Sequence, residues 1–222
     1  MAETAQQPPA GLTREAEEAG FYHEAALNAA WTGSRLAVGG LTFLFGSFVF
    51  GFFYLRSLNS HGEWYPAGFK GPQPWAGIVV LALIVVSAAV QTLVLQRIKA
   101  GHKGAWQTGA LVALVLGLAA IAVQFWQLSD LPFWPGSSGF ASCFVGFYPV
   151  FMVTVFAAMV WLETLIMRVR SIPEMAFVEQ PPTYAEAFAV QRFQASLSAF
   201  TVVWNFLAVI ALVAWVLFYL VH

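Results

Sequence analysis

Residues 31–66 read WTGSRLAVGGLTFLFGSFVFGFFYLRSLNSHGEWYP, and this stretch decides the fold. Between Arg35 and Arg56 it runs for about 20 residues without a charge. An uncharged helix of that length, at ~1.5 Å per residue, matches the ~30 Å hydrocarbon core of a bilayer. The two arginines flank the run, and their long side chains can reach the headgroup layers. We therefore predict a membrane-spanning helix over about 36–56.

The composition of the whole chain indicates a membrane protein with several spans. Its 222 residues are 59% hydrophobic and only 9% charged, whereas a soluble domain is nearer a quarter charged. The net charge is −1 and there is no basic cluster, so nucleic acid is not an expected partner. The single cysteine, Cys143, excludes an internal disulfide. The first 30 residues lack a basic start followed by an apolar run, so no signal peptide is expected.

Further hydrophobic runs extend the prediction to an all-α bundle of five transmembrane helices. The spans are predicted at about 36–56, 75–96, 105–128, 141–167 and 198–221. They form one domain, 31–222. Before the last span, Thr183 with Glu186 three residues on has the form of a capping box, so a helix is expected to restart at 184.

The segment 1–30 is predicted to be an N-terminal tail. Residues 1–12 contain Pro8-Pro9, glutamines and alanines and are expected to be disordered. Residues 14–30 are rich in Ala and Glu, and they favour a short surface helix that leads into the membrane. That helix is either simply solvated or a docking contact for a partner subunit.

The basic residues predict the orientation of the bundle. Of the 10 Lys and Arg residues, all but Arg56 and Lys70 lie on the side of the tail, the 97–104 turn and the 169–197 connection. Cytoplasmic loops are enriched in Lys and Arg. The N-terminus is therefore predicted to be cytoplasmic and the C-terminus external.

Three polar residues within the predicted spans are candidate intramembrane contacts: Glu163, Gln124 and Asn205. Glu163 lies about one turn from the end of its span, so we interpret it as an interfacial carboxylate that snorkels or pairs with Arg168 or Arg170. A contact with a partner subunit and a role in proton uptake are its alternatives. Gln124 and Asn205 are expected to form helix–helix hydrogen bonds, each worth ~0.6 kcal/mol on average.

Small residues mark two candidate helix-docking faces. The first span carries Gly40, Ser47 and Gly51, and the third carries Ala105, Gly109, Ala113 and Gly117 at intervals of four residues. Small side chains let helix backbones approach closely, so that dispersion can hold the helices together. The face on the third span could pack inside this chain's own bundle or dock on another subunit.

The histidines argue against a redox centre in this chain. His23, His61, His102 and His222 all lie outside the predicted spans. A membrane haem needs an axial ligand inside the bundle, and a copper site needs several His or Cys ligands. We therefore expect no catalytic residue, no metal site and no cofactor-binding residue in this chain.

An ordered set of short motifs runs along the chain from the first span to the last. The first span ends in FFYLRS, and the loop motif GEWYP follows at 62–66. The later motifs are, in order, Ser87, the basic turn 99–103, Gly117, Gln124, the stretch SCFVGFYP at 142–149, Trp204-Asn205 and Tyr219. This set resembles subunit III of haem–copper terminal oxidases (cytochrome c oxidase) in its five-helix bacterial form. The resemblance covers about 31–221.

The resemblance implies a non-catalytic subunit of a bacterial aerobic respiratory oxidase in the plasma membrane. Such a subunit packs against and stabilises subunit I, which bears haem and copper, reduces oxygen and pumps protons. Haem and copper would then belong to partner chains, and the partners would be subunit I, subunit II, other respiratory subunits and membrane lipids. The electron donor, cytochrome c or quinol, is left open.

The titratable positions of the family motifs are neutral in this chain. The family's "QxxE" ends in Gln127, the histidine of its "GFHG" is replaced by Tyr148, and its final "H…D" pair is replaced by Asn205 and Ala208. The implied role is therefore one of packing rather than of carboxylate-linked proton handling. The residues leave two other classes open: a small polytopic transporter or channel subunit, which would need a polar site at the membrane midplane, and a membrane enzyme.

Overall fold

The computed structural model describes residues 14–59, 61–177 and 184–221, and within these ranges it contains helices and no strand. The long helices are α1 (Arg14–Leu58), α2 (Pro74–Lys99), α3 (Lys103–Ser129), α4 (Gly139–Arg170) and α5 (Tyr184–Tyr219). A short 3₁₀ helix, Glu174–Phe177, lies between α4 and α5. Each long helix is long and apolar enough to cross a membrane. The prediction of five candidate spans is confirmed, and the helices have the lengths and composition of a multi-pass membrane protein.

The helices extend beyond the predicted spans at both ends of the chain. Residues 14–30 form no separate surface helix, because α1 runs without interruption from Arg14 to Leu58. The Ala- and Glu-rich lead-in has high helix propensity and the segment holds no proline, so nothing ends the helix before the membrane. At the other end, α5 begins at Tyr184, as expected, and ends at Tyr219, two residues before the predicted end of the last span. Thr183 of the capping box and the tail 1–12 lie outside the described residues.

The ends of several helices follow from local sequence. Pro74 occupies the first turn of α2, where its missing N–H is no loss. Ser138 caps α4, since its Oγ accepts a 3.0 Å hydrogen bond from the backbone N–H of Ala141. Gly101, in the α2–α3 turn, has φ +85°, and a Cβ there would lie 3.0 Å from the carbonyl oxygen of Phe177. This turn therefore needs glycine for both its conformation and its close contact.

The helices pack in a closed ring in the order α1, α4, α3, α2, α5, with α4 and α5 also in contact across the ring. Helix α5 is the most enclosed: 44% of its most apolar stretch is buried inside the chain, compared with 11% for α1. Helix α1 packs mainly on α4 and α5. It is therefore the peripheral member of the bundle.

The two ends of the bundle differ in chemistry. One end, here named the basic end, holds the α2–α3 turn, the end of α4 and the start of α5. A hydrogen bond from Lys103 Nζ to the carbonyl of Ile172 joins the start of α3 to the segment that follows α4. The described basic residues there are Arg97, Lys99, Lys103, Arg168, Arg170 and Arg192. At the other end, here named the aromatic end, Phe52 packs edge-on against Trp64 and Phe218, with ring centroids 5.0 and 5.4 Å apart. These rings join α1 and α5 to the loop that follows α1.

Candidate functional site

The most connected polar group in the interior lies near the aromatic end, and we name it the glutamine cluster: Gln73, Gln124, Gln127 and Tyr219. The Nε2 of Gln127 donates to the hydroxyl of Tyr219 at 2.8 Å and to the backbone carbonyl of Gln73 at 3.0 Å. The Nε2 of Gln124 donates to Oε1 of Gln127 at 3.0 Å. Both amide side chains are about fully buried, at 1% and 2% exposure. The cluster therefore joins α3 to α5 and to the start of α2.

One side of the cluster is left unpaired within the described part of the chain. Oε1 of Gln124 and Nε1 of Trp215 are buried and have no hydrogen-bond partner there. The two side chains line the same small cavity, of about 10 Å³, together with Tyr148. A cavity needs ~10–15 Å³ to hold one water molecule. The arrangement can bind and orient a water molecule, and it offers no charged group to a larger ligand.

A second polar contact lies deeper in the bundle. The hydroxyl of Ser87 on α2 donates to the carbonyl of Ala113 on α3 at 2.7 Å, and Nε1 of Trp204 on α5 donates to Ser87 Oγ at 3.2 Å. Ser87, Ala113 and Trp204 are all fully buried. This contact fixes three helices against one another where no water can compete for the hydrogen bonds.

Asn205 lies on the outside of the bundle, where α5 meets α2. Its Nδ2 donates to Oγ1 of Thr92 at 3.1 Å, and Thr92 Oγ1 also bonds the carbonyl of Ala88 in its own helix at 2.8 Å. Asn205 thus makes an interhelical hydrogen bond of the expected kind. Among the described residues, Gln124 is linked to α5 by hydrogen bonds through Gln127, which is on its own helix.

Glu163 lies on an exposed face of α4. It makes no hydrogen bond and no ion pair with any residue that the structure describes, and the exposed side chains of Arg168 and Arg170 do not pair with it. The structure therefore places the carboxylate outside the polar contacts described above.

The small residues of α3 pack mostly inside the chain. A Cβ at Gly109 would collide with Val94 of α2, and a Cβ at Gly117 would collide with Met159 of α4. Ala113 is fully buried between them. Ala105, at the start of α3, is exposed. Three of the four residues of this face therefore allow close approach of α2 and α4.

The small residues of α1 make no close contact with the other described helices. No heavy atom would lie within 4 Å of a Cβ at Gly40 or Gly51. Ser47 is exposed, and its hydroxyl donates to the carbonyl of Phe43 in its own helix at 2.8 Å. Ser47 and Gly51 line an apolar groove of about 400 Å³ between α1 and α4, which Cys143 borders from α4. The docking role predicted for this face stays a prediction.

No group of three or more His, Cys, Asp or Glu side chains in the described ranges is placed to hold a metal ion. His61 and His102 lie in loops at opposite ends of the bundle. His222, and the side chain of His23, lie outside what the structure describes. The expectation that haem and copper belong to partner chains stays a prediction.

Two contacts of the interior were not predicted from the sequence. Gln127 was noted only as the neutral counterpart of a family carboxylate, and the pairing of Ser87 with Trp204 was not foreseen. A signal did exist for Gln127: Gln124 and Gln127 are three residues apart and so share one face of a helix. No comparable local signal exists for Ser87 and Trp204, because 117 residues separate them.

No protein-family model matches this sequence, and a search of curated proteins gives no match either.

Proposed function

We propose that this chain is a non-catalytic subunit III of a bacterial aerobic respiratory oxidase, which packs against and stabilises the haem- and copper-bearing subunit I. The observation that carries the proposal is that several residues of the family-like motifs meet in the interior of the bundle. Ser87 and Trp204, far apart in the sequence, meet in one buried contact. Gln124 and Tyr219 meet in another through Gln127. Four of the positions that resemble the family thus belong to buried hydrogen-bonded contacts between helices.

The uncovered face of α1 supports an accessory role. Gly40, Ser47 and Gly51 lie on a helix that the rest of the chain barely covers. In a membrane, small residues favour close helix association through dispersion. The occupant proposed for this face is a helix of subunit I.

The interior polar groups support a packing role rather than proton handling. The buried side chains of the glutamine cluster and of the Ser87–Trp204 contact include no charged group, and the one carboxylate bonded to the cluster, Asp130, is exposed and accepts a 2.9 Å hydrogen bond from Gln73 Nε2. Their hydrogen bonds fix helices without the cost of burying a charge. Haem, copper and the proton-pumping path are therefore assigned to the partner chains.

The distribution of basic residues supports an N-terminus in the cytoplasm. The described Lys and Arg side chains of the helix ends and loops concentrate at the basic end, and Arg56 and Lys70 alone lie towards the aromatic end. By the positive-inside rule the basic end faces the cytoplasm. The proposed location is the bacterial plasma membrane.

The interior favours this role over that of a transporter or channel. A transporter needs a polar binding site near the membrane midplane, commonly built on broken helices. Here the cavity beside Gln124 is about 10 Å³ and lies towards the aromatic end. The contact between Ser87, at the middle of α2, and Trp204 is fully buried. Neither provides a path for a solute.

The experiment that tests the proposal is purification of the chain from its native membranes. The chain, tagged at the N-terminus, is extracted in a mild detergent, and a reduced-minus-oxidised absorption spectrum is recorded. We expect haem in at least equal amount to the chain, together with oxygen consumption. A colourless homo-oligomer would overturn the proposal.

A matched pair of variants tests the docking face. Gly40→Leu with Ser47→Leu adds bulk at Gly40, where a Cβ meets no described atom within 4 Å, and at the exposed Ser47, which borders the open groove beside α4. The chain should therefore fold, and its haem yield should fall by about tenfold. Ala157→Leu, on an exposed face of α4, is the control and should keep the haem. If haem co-purifies equally with the wild type and with the α1 variant, the oxidase proposal stands and the proposed docking role of the α1 face is wrong.

A further inference from the structure

A cavity at the basic end combines positive charge with apolar walls. It has a volume of about 400 Å³ and lies between the end of α4 and the start of α5. Its lining residues are Leu165, Arg168, Ser171, Ile172, Phe188 and Arg192, with Ala189, Phe193 and Ser196. We name it the arginine cavity.

The two arginines of the cavity are free to bind an anion. Neither Arg168 nor Arg192 forms an ion pair or hydrogen bond through its side chain with a described residue, and the cavity is lined by no described carboxylate. The hydroxyl of Ser171 is bonded to the carbonyl of Arg168 at 2.7 Å, while Ser196 adds a second hydroxyl to the lining. A guanidinium presents its N–H groups as a planar fork that fits the oxygens of a phosphate.

The remaining walls suit a hydrocarbon chain. Phe188 and Ala189 line the cavity and are half-buried, so they present apolar surface to a ligand. Leu165 and Phe193 lie deeper in the wall, almost fully buried, in helices that are long and apolar enough to cross a membrane. A ligand that fills this cavity therefore combines an anionic group with an apolar part.

One part of the cavity wall, at Ile172, is held in place by the neighbouring α2–α3 turn. Ile172 lines the cavity, and its carbonyl accepts a hydrogen bond from Lys103 Nζ of α3. Gly101 packs closely on the carbonyl of Phe177. Because these contacts fix the wall before a ligand arrives, less ordering is needed on binding.

We propose that the arginine cavity binds the phosphate of an anionic phospholipid, with Arg168 and Arg192 on the headgroup and an acyl chain against Phe188 and Ala189. Basic pockets between helices at the cytoplasmic membrane face have the chemistry that anionic headgroups require. The proposal depends on the cavity alone and not on the oxidase assignment.

The test measures lipid retention by the purified full chain in detergent. Phosphatidylglycerol, phosphatidylcholine and inorganic phosphate are titrated separately, and bound molecules are counted by native mass spectrometry. We expect phosphatidylglycerol to bind at least tenfold more tightly than phosphatidylcholine, since only the former carries net charge. Equal binding of the two lipids would overturn the proposal. Binding of inorganic phosphate as tight as that of phosphatidylglycerol would also overturn the lipid assignment, because the acyl chain would then contribute nothing.

Variants separate the cavity from general surface charge. The double variant Arg168→Gln, Arg192→Gln should weaken phosphatidylglycerol binding about tenfold. The control Arg97→Gln, Lys99→Gln removes the same charge from the basic end without touching the cavity and should change binding less than about threefold. An equal loss in both would contradict the proposal. If the glutamine variant misfolds, a second variant, Arg168→Lys with Arg192→Lys, keeps the positive charge and loses only the planar guanidinium groups. We expect it to weaken phosphatidylglycerol binding about threefold. Unchanged binding in the lysine variant would count against phosphate recognition by the arginines.

Discussion

Replacement of Gln127 by leucine probes whether the glutamine cluster stabilises the bundle. Leucine is close to glutamine in size but makes no hydrogen bond. The change removes the bonds to the Gln73 carbonyl and the Tyr219 hydroxyl, and it takes away the acceptor of Gln124 Nε2. Three hydrogen bonds at ~0.6 kcal/mol each amount to about 2 kcal/mol in a membrane protein. The unpaired, buried Gln124 Nε2 adds ~1 kcal/mol or more. We expect the free energy of unfolding to fall by about 2–3 kcal/mol.

A double-mutant cycle isolates the bond between Gln127 and Tyr219. Tyr219→Phe alone removes the hydroxyl, so it should lower the free energy of unfolding by ~0.6 kcal/mol or somewhat more. In the Gln127→Leu background that hydroxyl no longer has its donor, so the same change should cost less. The difference between the two costs is the coupling energy of the pair, and it should be ~0.6 kcal/mol.

The assay is reversible unfolding of the purified chain in mixed micelles of a mild detergent and dodecyl sulfate, followed by helicity in the far ultraviolet. Gln96→Leu is the control, because Gln96 is exposed in the last turns of α2 and its side chain bonds no described residue. The control accounts for the gain in apolar character that both changes share. If Gln127→Leu and Gln96→Leu agree within ~0.5 kcal/mol, or if the cycle is additive, the cluster does not stabilise the bundle as argued.

Two further predictions concern the packing of the helices. Gly117→Ala forces a Cβ against Met159, so it should lower the free energy of unfolding by ~1–3 kcal/mol through overpacking. Gly40→Ala places its Cβ in open space, so it should be neutral or stabilising by up to ~1 kcal/mol through helix propensity. The same unfolding assay compares the two variants, and equal effects would contradict the packing argument. Trp204→Phe removes the donor to Ser87, so it should lower the free energy of unfolding by about 1–3 kcal/mol. If Trp204→Phe has the same effect in the Ser87→Ala background, the hydrogen bond contributes nothing to stability.

The number and type of the helices were predictable because each follows from local sequence. The uncharged run between Arg35 and Arg56 is long enough to define a span by itself. The true length of α1 was harder to predict, because the lead-in 14–30 is polar. Hydropathy marks only where a helix crosses a membrane, whereas the end of a helix depends on breakers, and α1 has none before Leu58.

The lateral arrangement of the helices could not be predicted from local pattern. Gly109 and Gly117 on α3 are eight residues apart, and Gly40 and Gly51 on α1 are eleven apart, so each pair lies near one face of its helix in a hydrophobic run. The structure places the first pair against neighbouring helices and the second pair against nothing in the described chain. Spacing identifies a face of a helix, but what covers that face depends on side chains contributed by distant parts of the sequence.

The polar contacts were predictable only in kind. Gln124 and Asn205 stood out because polar groups in a span seek hydrogen-bond partners. Their partners could not be identified from the sequence. Gln124 bonds Gln127 on the same helix, which in turn bonds Tyr219, and Asn205 bonds Thr92 on α2. Each pair across helices depends on the helix order and on the rotation of each helix about its axis, and hydropathy reports neither.

The uneven burial of the helices links the fold to the proposed function. Helices α2 to α5 contact one another through buried hydrogen bonds and small residues, so they form a body that does not need α1 for most of its interior contacts. Helix α1 instead exposes aromatic side chains such as Phe43 and Phe50 beside its small residues. Lipid tails are as apolar as these side chains, so exposure to lipid costs little, and a partner helix gains only where the surfaces fit closely. A docking face in this protein should therefore be one whose small residues the other described helices leave uncovered, and the face of α1 that carries Gly40, Ser47 and Gly51 meets that condition.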